Sequence, residues 1–269
     1  MKTRAITGFI FVIVMLASLL LGQYVFGAFY LILSILCLRE FYTLIKKSGL
    51  SPNIETGVLN AIFIYVIIAL IVYQNSPIYH KLLFLITLTG GAVFIQELFK
   101  KSTVPFTNIG YTFTGIIYIC LPFVFFHALA YMNGEFNFHY PLAFLLLLWA
   151  NDTGAYLVGS KLGRTKLFER HSPKKTWEGF MGGILISALA AFIISRFFKE
   201  LQWNQWVSVS ILISCFGTLG DLIESMFKRS INVKDSGGIL PGHGGLLDRF
   251  DGLLLAAPIV YTYLYFITN

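Results

Sequence analysis

Charged residues are scarce in this sequence. Asp, Glu, Lys and Arg make up only 12% of its 269 residues, whereas 57% are hydrophobic. Soluble domains carry about 25% charged residues, so most of the surface of this protein is not suited to water. The apolar runs also leave no stretch polar enough for a separate soluble domain. The shortage of charge therefore excludes an ordinary soluble protein.

Cysteine is scarce too, and its placement excludes a thiolate metal site. The three cysteines lie far apart inside apolar runs, and no CxxC or Cys/His ligand spacing is present. We interpret Cys37, Cys120 and Cys215 as packing residues. The net charge of +7 does not indicate nucleic-acid binding, because the basic residues lie between apolar runs.

Long apolar runs, by contrast, are abundant. A helix needs about 20 mostly apolar residues to cross a bilayer. The runs predict an all-α, polytopic membrane protein with about nine transmembrane helices: 5–22, 24–38, 57–74, 82–98, 109–131, 141–159, 177–198, 203–220 and 252–267. With the N-terminus in the cytoplasm, only Lys81, Arg196 and Lys199 fall outside, and the other 17 of the 20 Lys and Arg residues fall inside. The positive-inside rule therefore predicts a cytoplasmic N-terminus and an external C-terminus.

Two loops of this topology face the cytoplasm. Residues 160–176 are strongly basic, and residues 228–251 are rich in Gly, Asp and Lys. We therefore divide the chain into N-terminal transmembrane helices at 1–140 and a C-terminal catalytic region at 141–269 that carries both loops. Glycines inside the spans, such as Gly179 and Gly183, are interpreted as permitting close helix packing.

Acidic residues gather in the C-terminal region, several of them at the ends of apolar runs, where charges are costly and usually functional. Four polar residues recur at i, i+3, i+4 and i+7 and so share one helix face: Asp221, Glu224, Ser225 and Lys228. A solvated ion pair between Glu224 and Lys228 is the alternative interpretation. Asp248 and Asp251 also share a face if their segment is helical. Carboxylates at two helix ends could hold a hard cation through oxygen.

The second loop contains five glycines: Gly237, Gly238, Gly242, Gly244 and Gly245. Lysine and arginine residues flank them. Free N–H groups in such loops bind phosphate. Basic charge, flexible glycine and carboxylates for Mg²⁺ together indicate phosphoryl or nucleotidyl transfer. No GxxxxGK[ST] pattern is present, which excludes a P-loop. A Gly-rich surface loop without a ligand is the alternative.

Residues 225–251, SMFKRSINVKDSGGILPGHGGLLDRFD, closely resemble the signature of the phosphatidate cytidylyltransferase family, also called CDP-diacylglycerol synthases. Residues 151–156 (NDTGAY) and 172–179 (SPKKTWEG) are similar to the same family. The resemblance covers residues 149–255 firmly, and the N-terminal half matches only in being hydrophobic. It implies that CTP and phosphatidate give CDP-diacylglycerol and pyrophosphate. It further implies Mg²⁺ as cofactor, a second, monovalent cation such as K⁺ beside it, and a homodimer.

In such a reaction, positioning and charge neutralisation dominate. We assign the metal to Asp221, Asp248 and Asp251, and catalysis to Asp221, Asp248, Lys228 and Arg229. The predicted substrate-binding residues are Lys174, Lys175, Lys234, Asp235, His243, Gly244, Gly245 and Arg249. Three roles stay open. Asp235 contacts either the metal or the ribose, and His243 either donates to a phosphate or fixes the glycine loop. The lysine pair, Lys174 and Lys175, either binds substrate or only sets the membrane topology.

Two other function classes compete with this interpretation. One is a related enzyme acting on another lipid, such as a polyprenol kinase or an archaeal lipid cytidylyltransferase; the full signature disfavours the kinase. The other is an ion-coupled transporter, whose site should lie near the bilayer midplane, whereas the charged residues here collect at one face. The predicted location is the inner, cytoplasmic membrane, with the active site facing the cytoplasm and no nucleic-acid partner.

Overall fold

The computed structural model describes residues 2–74, 76–238 and 244–268 and is mostly helical within them. Seven α-helices lie before residue 130: α1 Lys2–Leu20, α2 Gln23–Lys47, α3 Ile54–Gln74, α4 Pro77–Lys81, α5 Leu83–Phe99, α6 Pro105–Gly115 and α7 Leu121–Leu129. The later elements are α8 His139–Leu162, β1 Lys166–Phe168, β2 Ser172–Thr176, α9 Trp177–Phe197, α10 Trp203–Ser230 and α11 Leu247–Thr268.

The predicted membrane helices are confirmed. Among the described residues, eight helical segments are long and apolar enough to cross a bilayer: Gln23–Lys47, Ile54–Gln74, Ile78–Phe99, Pro105–Leu129, His139–Leu162, Trp177–Phe197, Trp203–Ser230 and Leu247–Thr268. The apolar part of α1, Thr7–Leu20, is a shorter ninth segment. Pro122 has no N–H to continue a regular ladder, and the turn before it, Ile116–Cys120, is π-helical.

The chain forms two compact units, and the first comprises the described residues up to Phe136 together with Asp235–Arg249. Helix α2 buries a row of aromatic side chains in this unit. The rings of Phe26 and Tyr30 lie 6.0 and 4.8 Å from that of Phe126 in α7. The hydroxyl of Tyr42 donates a 2.6 Å hydrogen bond to a backbone carbonyl of α6. The core of this unit is therefore rich in aromatic side chains that pack around α2.

The second unit comprises Asn137–Lys234 and the described residues from Phe250 onward. Its helices α8 and α9 pack with their backbones close together. A Cβ on Gly159 would lie 3.3 Å from the Cα of Gly179, and a Cβ on Gly183 would lie 2.9 Å from the carbonyl oxygen of Asn151. The prediction that Gly179 and Gly183 serve close helix packing is confirmed.

Two details differ from the sequence-based expectation of helices joined by loops. Within the basic loop, β1 and β2 pair as an antiparallel hairpin with Lys166 opposite Thr176. The second loop is shorter than predicted, because α10 continues to Ser230 and α11 begins at Leu247. Asp248 and Asp251 are therefore both helical, as the shared-face hypothesis requires. The functional division at residue 140 stays a prediction.

Candidate functional site

Two of the predicted metal ligands, Asp221 and Asp251, come together in the second unit because α10 and α11 approach closely. A Cβ on Gly220 would overlap the carbonyl oxygen of Asp251, so only glycine allows this approach. The carboxylate of Asp251 lies within electrostatic range of Asp221 and of Asp152 in α8. The packing therefore concentrates negative charge where three helices meet.

The hairpin brings a positive charge to this carboxylate cluster. The Nζ atom of Lys175, in β2, lies 2.5 Å from Oδ2 of Asp221. Lys175 also lies within electrostatic range of Asp251. The side chains of Lys175 and Asp221 are 28% and 35% exposed, so the ion pair is accessible to a charged ligand.

The junction of the hairpin with α9 explains how Lys175 is held. Thr176 caps α9, its hydroxyl accepting a 3.2 Å hydrogen bond from the Gly179 N–H. The carboxylate of Glu178 accepts hydrogen bonds of 3.0 and 3.1 Å from the backbone N–H groups of Arg164 and Thr165. The hairpin is thus fastened to the first turn of α9, and Lys175 is only one residue from the cap.

A cavity of about 450 Å³ opens beside this ion pair, entirely within the second unit. Its polar lining includes Asp152, Lys174, Lys175 and Asp221, and its apolar lining includes Tyr156, Leu167 and Phe180. Lysines attract phosphate, carboxylates attract cations, and the apolar wall suits a hydrocarbon or an aromatic base. The cavity therefore fits an amphipathic, phosphorylated ligand with a cation.

The predicted polar face of α10 is present, but its central ion pair is buried. The Nζ atom of Lys228 lies 2.5 Å from Oε2 of Glu224, and their side chains are only 12% and 1% exposed. Ser225 donates a 3.3 Å hydrogen bond to Asp221. The solvated-stripe interpretation is therefore wrong, because the pair is shielded from water.

The glycine loop belongs to the first unit, and Asp248 closes it. The Oδ2 atom of Asp248 accepts hydrogen bonds of 2.8 Å from the Gly245 N–H and 3.0 Å from the Ser236 N–H. Gly244 has a φ of 81°, a left-handed conformation that favours glycine. The third predicted metal ligand thus also joins the two described ends of the loop.

Glu40 in α2 is a site residue that the sequence reasoning missed. Its Oε2 atom accepts hydrogen bonds of 2.7 Å from the Leu247 N–H and 3.1 Å from the Ser236 hydroxyl. A single acidic residue just beyond the apolar run 24–38 was the available signal, since buried charges near a membrane are usually engaged. Asp152 lies in the stretch 151–156 that resembles the family, and the sequence reasoning assigned no role to it.

The remaining predicted residues are more exposed. Arg229 lies at the end of α10 and donates a 3.3 Å hydrogen bond to the carbonyl of Val233. Lys234, Asp235 and Arg249 are exposed. His243 lies outside the described residues.

The donor set can be tested against Mg²⁺. Within each unit, the described Asp, Glu, His and Cys side chains form no group of three that would hold a metal alone. Mg²⁺ does not need one, because it binds one or two carboxylates and completes its shell with water and substrate phosphates. The adjacent carboxylates of Asp221 and Asp251 therefore fit this ion.

The fold and the site are those of an enzyme embedded in a membrane. The cytidylyltransferase family model matches residues 2–267, and the chain belongs to this family. Its relatives include the phosphatidate cytidylyltransferase of Staphylococcus aureus strain COL, 34% identical over 97% of both chains. Those of Staphylococcus haemolyticus and Staphylococcus epidermidis strain ATCC 12228 are 33% and 34% identical over the same share of each chain.

Proposed function

We propose that this chain is a phosphatidate cytidylyltransferase, which makes CDP-diacylglycerol and pyrophosphate from CTP and phosphatidate. The observation that carries the proposal is the relationship to enzymes of this name at 34% identity over 97% of both chains. A site that combines carboxylates, lysines and an apolar wall in a membrane protein supports it, because one substrate is a lipid and both carry phosphates.

The proposed reaction is a displacement at phosphorus. A phosphate oxygen of phosphatidate attacks the α-phosphorus of CTP, and the bond from that phosphorus to the oxygen bridging to the β-phosphate breaks. Pyrophosphate leaves with the bridging oxygen. The attacking phosphate monoester is already anionic near neutral pH, so no general base is required, and positioning with charge neutralisation supplies the catalysis.

The residue roles follow from the chemistry of the side chains. Phosphates would be held by the side chains of Lys174, Lys175, Lys228, Arg229, Lys234 and Arg249. Gly244 and Gly245, which carry no side chains, would let the loop backbone come close to the substrate. If Lys228 left Glu224 to bind a phosphate, a buried carboxylate would lose its ion-pair partner. We therefore propose that Lys228 orients the polar face of α10 as much as it contacts substrate. Asp235 would contact the metal or the ribose, and His243 the loop or a phosphate.

Mg²⁺ would be held by Asp221 and Asp251, and the role of Asp248 as a metal ligand stays a prediction from the sequence. When bound, the ion supplies neutralisation of the triphosphate charge. Lys175 lies 2.5 Å from Asp221, and its positive charge reduces the repulsion between the Asp221 and Asp251 carboxylates before substrate binds. A K⁺ ion beside the Mg²⁺ and a homodimeric assembly are further parts of the proposal that the family resemblance supports.

The distribution of Lys and Arg supports a cytoplasmic site. Only three of the 20 basic residues fall outside in the proposed topology, and CTP is a cytoplasmic nucleotide. A periplasm-active reporter fused after Asn269 should be active, and the same reporter inserted within 160–176 should be silent. The opposite pattern would reverse the topology.

The test of the function uses purified protein in detergent with α-labelled CTP and phosphatidate. We expect the label to enter a lipid product while pyrophosphate is released in equal amount, and EDTA to stop both. Thermal stabilisation by CTP with Mg²⁺ should exceed that by GTP. Stabilisation without any lipid labelling would favour the alternative functions.

A further inference from the structure

Glu40 is a buried acidic residue in the apolar helix α2, only 7% exposed. Its Oε2 atom accepts both the Leu247 N–H at 2.7 Å and the Ser236 hydroxyl at 3.1 Å. Its Oε1 atom has no hydrogen-bond partner among the described residues. Both of these hydrogen bonds therefore come from the segment that carries the glycine loop.

The two partners of Glu40 stand at opposite ends of that loop. Ser236 begins it and Leu247 begins α11, so a single carboxylate oxygen fixes both ends to one point of α2. The glycines between them pack tightly on the same group: a Cβ on Gly237 or Gly245 would overlap the Glu40 carboxylate. The described part of the loop is thus built around this side chain.

Packing alone does not account for a carboxylate at this position, because a buried charge is costly unless it is paired or hydrogen-bonded. Glu97 in α5 is also buried, but it has both a hydrogen bond from Asn108 at 2.7 Å and a lysine, Lys100, at 3.4 Å. No described lysine or arginine forms an ion pair with Glu40. The loop itself supplies the compensation.

We propose that Glu40 is a positioning residue that holds the described parts of the glycine loop, 236–238 and 244–247, in place for the binding of CTP. This inference rests on the proposed function, since the loop carries Gly244 and Gly245 and is flanked by Asp235 and Arg249. A loop fixed in advance loses less conformational entropy when nucleotide binds. Glu40 touches no substrate and acts through the backbone that it anchors.

The test compares Glu40→Leu, which removes the acceptor, with Glu40→Gln, which keeps one acceptor oxygen of the same reach. We expect Glu40→Leu to raise the KM for CTP about tenfold or more, with a smaller effect on the KM for phosphatidate. Glu40→Gln should stay close to wild type. Glu55→Gln is the charge-matched control, because Glu55 forms only an exposed surface pair with Arg39.

Ser236→Ala keeps the test decisive if Glu40→Leu does not fold. It removes one of the two hydrogen bonds with little change in volume and should raise the KM for CTP more mildly. In the double variant, Ser236→Ala should add nothing to Glu40→Leu, because both changes break the same contact. Additive effects would contradict a shared role.

Deuterium exchange gives a readout that needs no substrate. Amides at 236–238 and 244–247 should exchange faster in Glu40→Leu, and Glu40→Gln should restore their protection. Lower thermal stability with an unchanged KM would overturn the proposal, and so would a Glu40→Gln variant as impaired as Glu40→Leu. A wild-type protein without cytidylyl transfer would instead overturn the proposed function, and the exchange result would still be measurable.

Discussion

The Nζ atom of Lys175 lies 2.5 Å from the Oδ2 atom of Asp221, which joins the basic hairpin to the polar face of α10. This contact changes the meaning of the basic loop, whose charge alone is explained equally well by membrane topology. Because Lys175 contacts one of the carboxylates, the basic loop is part of the candidate site.

Lys175→Gln should lower kcat/KM about tenfold or more, because a lost charge-assisted contact to phosphate or to Asp221 costs roughly 1.5–3 kcal/mol. Lys174→Gln should act in the same direction, since Lys174 also lines the cavity. Lys166→Gln is the control: it removes the same charge from β1 without lining the cavity. Equal kinetics for Lys175→Gln and Lys166→Gln in purified protein would leave the lysine pair a topological role only.

Glu178→Ala should loosen the hairpin, because Glu178 accepts hydrogen bonds from two backbone N–H groups at its base. We expect the amides of Arg164 and Thr165 to exchange about tenfold faster, and the KM for substrate to rise as Lys175 loses its fixed position. Glu169→Ala, in the exposed turn of the hairpin, is the matched control. If exchange is unchanged, the clamp is not what orders the hairpin.

Much of the fold could be predicted from the sequence, because a bilayer requires long apolar helices and runs of about 20 apolar residues indicate them. The helical register of Asp248 and Asp251 and the glycine packing of α8 and α9 were accessible for the same reason, since both depend on local spacing. The hairpin was not predicted, because its short strands lack an apolar alternation and depend on backbone pairing.

The Glu40 contact could not be predicted, because Glu40 lies 196 residues from Ser236 and 207 from Leu247. The local sequence shows that Glu40 follows an apolar run, but it does not indicate which distant residues the carboxylate contacts. The pairing of Lys228 with Glu224 was foreseeable from i,i+4 spacing, but its burial depends on neighbouring helices. Tertiary packing decides these parts of the site.

Gly245→Ala should damage the glycine loop, because its Cβ would overlap both the Ser236 hydroxyl and the Glu40 carboxylate. Overpacking of this kind costs about 1–3 kcal/mol, so we expect a lower melting temperature and a raised KM for CTP. Gly238→Ala is the control in the same loop, since a Cβ there meets no atom of the described residues within 4 Å. Similar behaviour of the two variants would show that the loop is not closely packed on Glu40.

Glu200 predicts a pH dependence of stability away from the candidate site. Burial works to raise the pKa of Glu200, but hydrogen bonds from Asn137 and His139 outweigh it and hold the pKa below the ordinary 4.5. A depressed carboxylate stabilises the fold above its unfolded pKa, and this contribution is lost as pH falls through the folded pKa. Glu200→Gln should therefore lower the melting temperature at pH 6–7 and converge with wild type well below pH about 4. A constant difference at all pH values would exclude this linkage.

The carboxylate pair of Asp221 and Asp251 predicts opposite effects of one variant on stability and on activity. Gly220 packs on the backbone of Asp251, which holds α10 and α11 close together beside the two carboxylates, and like charges at close range repel. Asp251→Asn removes that repulsion while keeping the shape of the side chain. Without Mg²⁺ the variant should melt at or above the wild-type temperature, whereas added Mg²⁺ with CTP should stabilise the wild type and hardly affect the variant. Its kcat should fall at least about a hundredfold, the scale for losing one strong electrostatic stabiliser.

Glu135→Gln, at an exposed acidic residue of the first unit, controls for the loss of one negative charge. If Asp251→Asn keeps its activity, or the wild type ignores EDTA, these carboxylates serve the packing of α10 and α11 and the metal lies elsewhere.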